Sequence, residues 1–156
     1  MTNAEIAKVF DEIADLLEMR GENQFKIRAY RQAARTIKKL PVEVERMVSN
    51  EEDLQDIPGI GDAIAAKIED LVKTGHVKVH DELRAEFPQG ILDILDIPGV
   101  GPKTTMRLYT ELGVKSPAEL EQAIKEGRVS AMQRMGEKAA QRILEAIESG
   151  EKRHSC

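Results

Sequence analysis

The sequence predicts an all-α protein of short helices joined by glycine turns. Three observations carry that reading. Apolar residues recur at three- and four-residue spacing along most of the chain, and no alternating stretch reads as a strand. Aromatic residues make up only 3% and charged residues 33%, which suits helical packing better than a β-sandwich or a disordered tail. The hexamer Asp-Ile-Pro-Gly-aliphatic-Gly occurs twice, at Asp56–Gly61 and at Asp96–Gly101.

The elements follow in order. Thr2-Asn3-Ala4-Glu5 reads as a capping box. Ile6, Val9, Phe10, Ile13, Leu16 and Leu17 form the stripe of the helix it starts, and Gly21 stops that helix. The next helix runs to Pro41, with Ile27, Tyr30, Ala34, Ile37 and Leu40 as its stripe. Between Phe25 and Leu40 it carries six cations and no acid: Lys26, Arg28, Arg31, Arg35, Lys38 and Lys39. The chain's net charge is −5, so the remainder carries −11. On a helical wheel Arg28, Arg31, Arg35, Lys38 and Lys39 lie opposite the stripe, whereas Lys26 falls on the inward side, one turn before Tyr30.

Val42 to Leu54 reads as a short helix. A helix from about Asp62 to Lys73 follows the first hexamer and stops at Gly75. Another, around Asp81 to Glu86, leads to Pro88-Gln89-Gly90, and a helical turn at Ile91 to Leu95 precedes the second hexamer, whose helix ends at Gly113. Ser116-Pro117-Ala118-Glu119 is a second capping box with proline at the first helical position, and its helix ends near Gly127. Met132 to Ile143 reads as a worn third copy: it keeps the last glycine, Gly136, the aliphatic frame and the following helix, without the proline or the first glycine. The expected division is a domain at 1–80, a second at 81–148, and a flexible tail at 149–156.

Composition excludes several classes. No apolar run approaches the ~20 residues a membrane span needs, and no signal peptide is visible, so a cytoplasmic protein without a membrane partner is expected. The only cysteine is Cys156, which rules out an internal disulfide. His76 and His80 are four apart, but two histidines without a third ligand make a poor metal site. Net charge alone argues against nucleic acid; the concentration of cations in one helix argues the other way.

A Pro-Gly-aliphatic-Gly turn between helices leaves the first amides of the second helix without partners. Those amides and the positive end of the helix dipole form an anion site, which suits a backbone phosphate and ignores base identity. The simpler alternative is a packing turn. Two copies with the same Gly-x-Gly offset favour a grip at two points on a nucleic acid, through Gly59 and Gly61 and through Gly99 and Gly101. Lys103 and Arg107 follow the second hairpin, and Lys138 and Arg142 the third.

"FKIRAYRQAARTI" (Phe25 to Ile37), "IPGIGDAIAAKIEDLVKTG" (Ile57 to Gly75) and "IPGVGPKTTMRLYTELGV" (Ile97 to Val114) together resemble the amino-terminal part of family X DNA polymerases, the polymerase beta-like repair enzymes, most closely the bacterial and archaeal members. The resemblance covers roughly residues 2 to 148. A lone helix–hairpin–helix is widespread; the basic Ala-Tyr-Arg helix ahead of two hairpins is far more specific. It implies a lyase-type domain holding the 5′-phosphate side of a DNA gap, then a subdomain holding the primer-side duplex, in a monomer that acts on gapped, nicked or abasic DNA in base excision repair. It also implies a K+ or Na+ ion on hairpin carbonyls, here those of Gln55, Ile57 and Ile60 and of Leu95, Ile97 and Val100. No other cofactor is expected.

The family's lyase lysine, six residues after the second hairpin glycine, corresponds to Lys67, and its phosphate and pocket residues correspond to Lys26 and Tyr30. A neutral amine is the imine-forming species, and at an ordinary pKa of about 10.4 only a small fraction of lysine is neutral at pH 7. Lys67 flanks the Ile64, Ile68, Leu71 stripe, which predicts a half-buried stem. Its counterparts Arg107 and Arg142 stay protonated and are not imine formers. The bland reading of all three is phosphate contact or snorkelling at a helix edge. The sequence departs from the family at Ala63, where the lyases carry a phosphate-binding lysine, and at Ala66, where they carry an acid. The family's nucleotidyl transfer needs Mg2+ on an Asp-x-Asp pair in a palm sheet. This sequence has no such pair, so it is expected to be one portion of a longer protein. Two further readings stay open: a non-catalytic helix–hairpin–helix binder of the DNA backbone, and a protein-interaction module, which the acidic pI of about 5.3 favours.

Overall fold

The computed structural model describes residues 1–150, and every regular element among them is helical. The chain forms two compact units, Met1–Ala85 and Glu86–Cys156. The first holds α1 (Asn3–Arg20), α2 (Gln24–Lys39), α3 (Val44–Ser49), a 3-10 turn (Leu54–Asp56), α4 (Asp62–Thr74) and α5 (Lys78–Ala85). The second holds α6 (Gln89–Leu95), α7 (Gly101–Leu112), α8 (Pro117–Lys125) and α9 (Gly136–Ser149). Residues 151–156 of the expected tail lie outside the described residues.

In the first unit α1 begins at the capping box read from the sequence. Thr2 Oγ1 accepts the Glu5 amide at 3.1 Å and Glu5 Oε1 accepts the Thr2 amide at 3.0 Å, which satisfies two otherwise open donors. Gly21 closes the helix in the left-handed conformation, φ +80°, where a side chain would be strained. Helix α2 then packs on α1. Ile6, Phe10, Ile13 and Leu17 are buried with Ile27, Tyr30, Ala34 and Ile37, and the rings of Phe10 and Tyr30 stack with centroids 5.9 Å apart. Asn3 ties in the segment after α2, donating to the Val42 carbonyl and accepting from the Val44 amide, both at 2.8 Å.

A charged pair lies in that core. Asp15 of α1 is fully buried, and Arg31 of α2 reaches it at 2.7 Å, with Asp11 at 3.7 Å and Glu18 at 4.0 Å. A buried carboxylate needs such a partner, because an unpaired buried charge costs several kcal/mol. Helix α5 is anchored on α1 by buried Leu83 and by Glu12, which pairs with Arg84 and lies 3.5 Å from His80 Nε2. The division therefore falls after α5, five residues beyond the sequence expectation, since α5's hydrophobic and ionic partners are on α1.

The second unit has its own core, centred on Ile94, Ile97, Val100, Leu108, Val114, Leu120, Val129 and Ile143. Gly90, in the first turn of α6, sits directly against main chain. A Cβ there would clash with the Lys115 carbonyl oxygen, with the Lys115 carbonyl carbon at 3.2 Å and Ser116 Cα at 3.4 Å. Arg128 donates to the Leu112 carbonyl at 2.9 Å and ties the segment after α8 to the end of α7.

Candidate nucleic-acid interface

The two hexamers and the worn copy share one main-chain scaffold. The Ile57, Ile97 and Met132 amides donate to Leu54, Ile94 and Val129, each at 3.1 Å; the Ile60, Val100 and Met135 amides donate back to Ile57, Ile97 and Met132 at 3.1, 3.1 and 3.2 Å. In the second hairpin Gly99 and Gly101 take φ +89° and +70°. In the third, Arg134 and Gly136 take +63° and +77° at the same two positions. The third copy is therefore a true hairpin in which arginine occupies a backbone conformation that suits glycine. The first hairpin differs at its exit. Gly59 has φ +91°, but Gly61 is extended at φ −87° with open space around it. Nothing local requires glycine at 61.

The hairpins also differ in how their helix starts are served. Neither α7 nor α9 has a side-chain cap, and Lys103 and Lys138 are exposed in their first turns. In α4, Asp62 Oδ1 accepts the Ala63 amide at 2.9 Å, which puts a carboxylate where an anionic ligand would bind. Over equivalent windows, Glu51–Lys67 carries five acids and one cation, Ile91–Arg107 two of each, and Glu126–Arg142 two acids and four cations. The first hairpin compensates from α2. A Cβ on Gly59 would touch Thr36 Oγ1 at 3.6 Å and Gln32 at 4.0 Å, and Arg35 donates to Gln32 Oε1 at 2.8 Å. The hairpin and the basic helix thus form one surface.

The cations of α2 divide into three sets. Arg28, Arg35, Lys38 and Lys39 are exposed and, among the described residues, paired with no acid. Arg31 is not on that face: its guanidinium turns into the α1–α2 contact to neutralise Asp15, a role a wheel of α2 alone does not reveal. Lys26 is exposed rather than inward, as are Gln24 and Phe25 before it. Phe25 beside it is 77% exposed, with the Arg28 guanidinium carbon 5.8 Å from its ring centroid. Phe25 is the residue the sequence reading passed over; an aromatic at a helix start outside the apolar stripe was the available signal. Tyr30 is a core residue instead of a pocket wall, and burial pushes its hydroxyl pKa up.

Lys67 is half-buried, as its stripe position predicts. It lines a cleft of about 390 Å3 with Ala66, Asp70, Val77, Lys78, Val79 and Glu82. Lys26 and Tyr30 are not among those walls, so this cleft does not unite the lysine with its expected phosphate partners. Arg107 is held by Glu111 at 2.9 Å. His76 pairs with Asp81 and His80 faces Glu12, and among the described residues no group of three or more His, Cys, Asp and Glu is placed to hold a metal. The Ile57 and Ile97 carbonyls each accept an amide within the hairpin, leaving a second lone pair for any cation. No described helix is long and apolar enough to cross a membrane.

Comparison with known proteins agrees with this geometry. Residues 1–77 match the family model described as a helix-hairpin-helix domain, and residues 91–149 one described as a SAM-like helix-hairpin-helix tandem. The chain is 30% identical to the DNA polymerase/3'-5' exonuclease PolX of Bacillus subtilis (strain 168), over 94% of its own length and 25% of the relative's. It is 29% identical to the DNA nucleotidylexotransferase of Gallus gallus over 86% of its length, and 26% identical to the DNA polymerase lambda of Arabidopsis thaliana over 86%. It spans about a quarter of the length of these curated relatives. The chain is therefore composed of helix-hairpin-helix domains homologous to the amino-terminal region of family X DNA polymerases.

Proposed function

We propose that the chain binds DNA through its sugar-phosphate backbone, without regard to sequence, and that its preferred substrate is gapped or nicked duplex. The observation that carries this is the α2 face: Arg28, Arg35, Lys38 and Lys39 are exposed and matched by no acid, in a chain of net charge −5. Such a face adjoining a hairpin suits a polyanion. The open starts of α7 and α9 offer main-chain amides to further phosphates. Exposed Phe25, flanked by Arg28, supplies a stacking surface of the kind unpaired bases use, which is the basis for the gapped substrate. A cytoplasmic monomer acting in base excision repair fits this reading.

The test is fluorescence anisotropy on gapped and continuous duplex across a salt series. Log affinity should fall linearly with log salt, by roughly 0.9 per phosphate neutralised. Arg28→Gln/Arg35→Gln should lower the slope by nearly two. A flat titration, or an unchanged slope in a folded double variant, would refute the reading.

Lys67 favours a second, chemical reading, removal of a 5′-terminal abasic sugar. Its amine would attack the C1′ aldehyde, water would leave as the imine forms, and loss of a C2′ proton would break the C3′–O3′ bond and release the 5′-phosphorylated strand. Asp70 and Glu82 in the same cleft are the available proton acceptors. Borohydride reduction of the imine decides it. An adduct lost in Lys67→Ala establishes the lyase; no adduct at saturating DNA leaves backbone binding alone. Any monovalent cation on the hairpin carbonyls would act by fixing the turns, and K+ dependence of affinity at constant ionic strength would reveal it.

A further inference from the structure

The third hairpin, which keeps least of the motif in sequence, carries the most positive charge in structure. Arg134 at its tip and Lys138 and Arg142 in α9 are spaced four apart and exposed. Lys138 and Arg142 therefore lie on one face of α9, about 6 Å apart, and Arg134 precedes that helix in the hairpin turn. Among the described residues none of the three is in an ion pair, although acids are close in sequence. Those acids have other partners: Glu126 pairs with Arg128 at 3.6 Å, Glu121 with Lys125 at 3.0 Å, and Glu145 accepts from Gln141. Glu137 is the exception, and it lines the adjoining cleft of about 470 Å3 together with Lys138, Lys125, Gln141 and Ser130. Like charges at i and i+4 weaken the helix that carries them, so the Lys138 and Arg142 pair has no reason internal to the fold.

Resting on the backbone-binding reading above, we infer that Arg134, Lys138 and Arg142 form a second DNA-backbone surface, the principal one of the Glu86–Cys156 unit, running along neighbouring phosphates of one strand. The second hairpin contributes less, because Arg107 is held by Glu111 and its window is neutral overall.

The whole chain with continuous duplex DNA provides the test, using anisotropy at salt from about 50 to 200 mM. Arg134→Gly/Lys138→Gln/Arg142→Gln should lower the salt slope by close to three, whereas Lys103→Gln/Arg107→Gln should lower it by about one. Arg134→Gly alone should weaken binding and yet raise Tm, since glycine relieves the left-handed φ of +63°; a purely structural role for Arg134 would move both the same way. Acetylation of Lys138 in the unaltered chain should be slowed by DNA, a readout that holds even if the triple variant fails to fold. Unchanged slope in a folded triple variant, or Lys138 acetylated equally with and without DNA, would overturn this inference while leaving backbone binding by α2 intact. Absence of any salt-dependent binding by the unaltered chain would overturn both.

Discussion

Gly90→Ala should destabilise the second unit sharply, although alanine is the better helix former by about 1 kcal/mol. The added methyl would overlap the Lys115 carbonyl oxygen, with the Lys115 carbonyl carbon at 3.2 Å and Ser116 Cα at 3.4 Å. All three neighbours are main chain, so no side chain can swing aside. Helix α6 must instead retreat by roughly an ångström, carrying Ile91, Ile94 and Leu95 out of register with the core. Overpacking of this kind typically costs about 1–3 kcal/mol, and for a unit of this size each kcal/mol lowers Tm by about 4–8 °C. A fall of roughly 10 °C follows, read by circular dichroism. Gly61→Ala is the matched control. Gly61 has φ −87° and nothing within 4 Å, so alanine should be neutral or add up to about 1 kcal/mol by restricting the unfolded chain. If Gly90→Ala melts with the unaltered protein, or Gly61→Ala falls as far, the close-approach argument is wrong.

Two further outcomes separate architecture from binding. Arg31→Met should cost about 3 kcal/mol in urea denaturation by removing the guanidinium that neutralises buried Asp15, and adding Asp15→Leu should restore part of it; Arg35→Gln should leave the urea midpoint unchanged and weaken DNA binding. The Glu12 carboxyl is buried, which alone would raise its pKa, but the His80 imidazole and Arg84 guanidinium outweigh burial and hold it below the usual range. A carboxyl with a depressed folded pKa contributes stability that is full above the ordinary Glu value, about 4.3, and vanishes as pH falls through the folded value. Glu12→Gln should therefore lower stability at pH 7, with the gap closing in urea titrations as pH falls below the ordinary Glu value; a gap that persists there would mean the carboxylate charge is not its source.

The helices were legible because their signals are local. Thr2 and Ser116 cap as their sequences predict, Gly21, Gly75 and Gly113 stop helices in left-handed conformation, and apolar spacing marks each stripe. What stayed hidden depends on partners distant in sequence. Arg31 reads as a solvent cation on its own wheel, and only Asp11, Asp15 and Glu18 along α1 reveal its destination. Lys26 reads as inward on a wheel, which cannot show that α2 is exposed from Gln24 to Lys26 and becomes buried only at Ile27. Gly90 looks like linker punctuation until the Lys115 main chain arrives beside it. Gln133 and Arg134, in place of proline and glycine, hid the third hairpin's completeness, since its bonds are between amides and carbonyls.

Those bonds also set what sequence drift can do here. Each hairpin is held by the same pair of main-chain hydrogen bonds, to which side chains contribute nothing. A duplicated copy can therefore exchange its side chains without losing its bend. One copy has a carboxylate over the amide next to it, another has Gln133 and Arg134 in place of proline and glycine, and all three keep the same two bonds. Proline at the second hairpin is then dispensable, and Pro98→Gln should be tolerated. Shape and charge can be inherited separately in this molecule, which lets a hairpin retire from ligand contact and remain in service as an elbow.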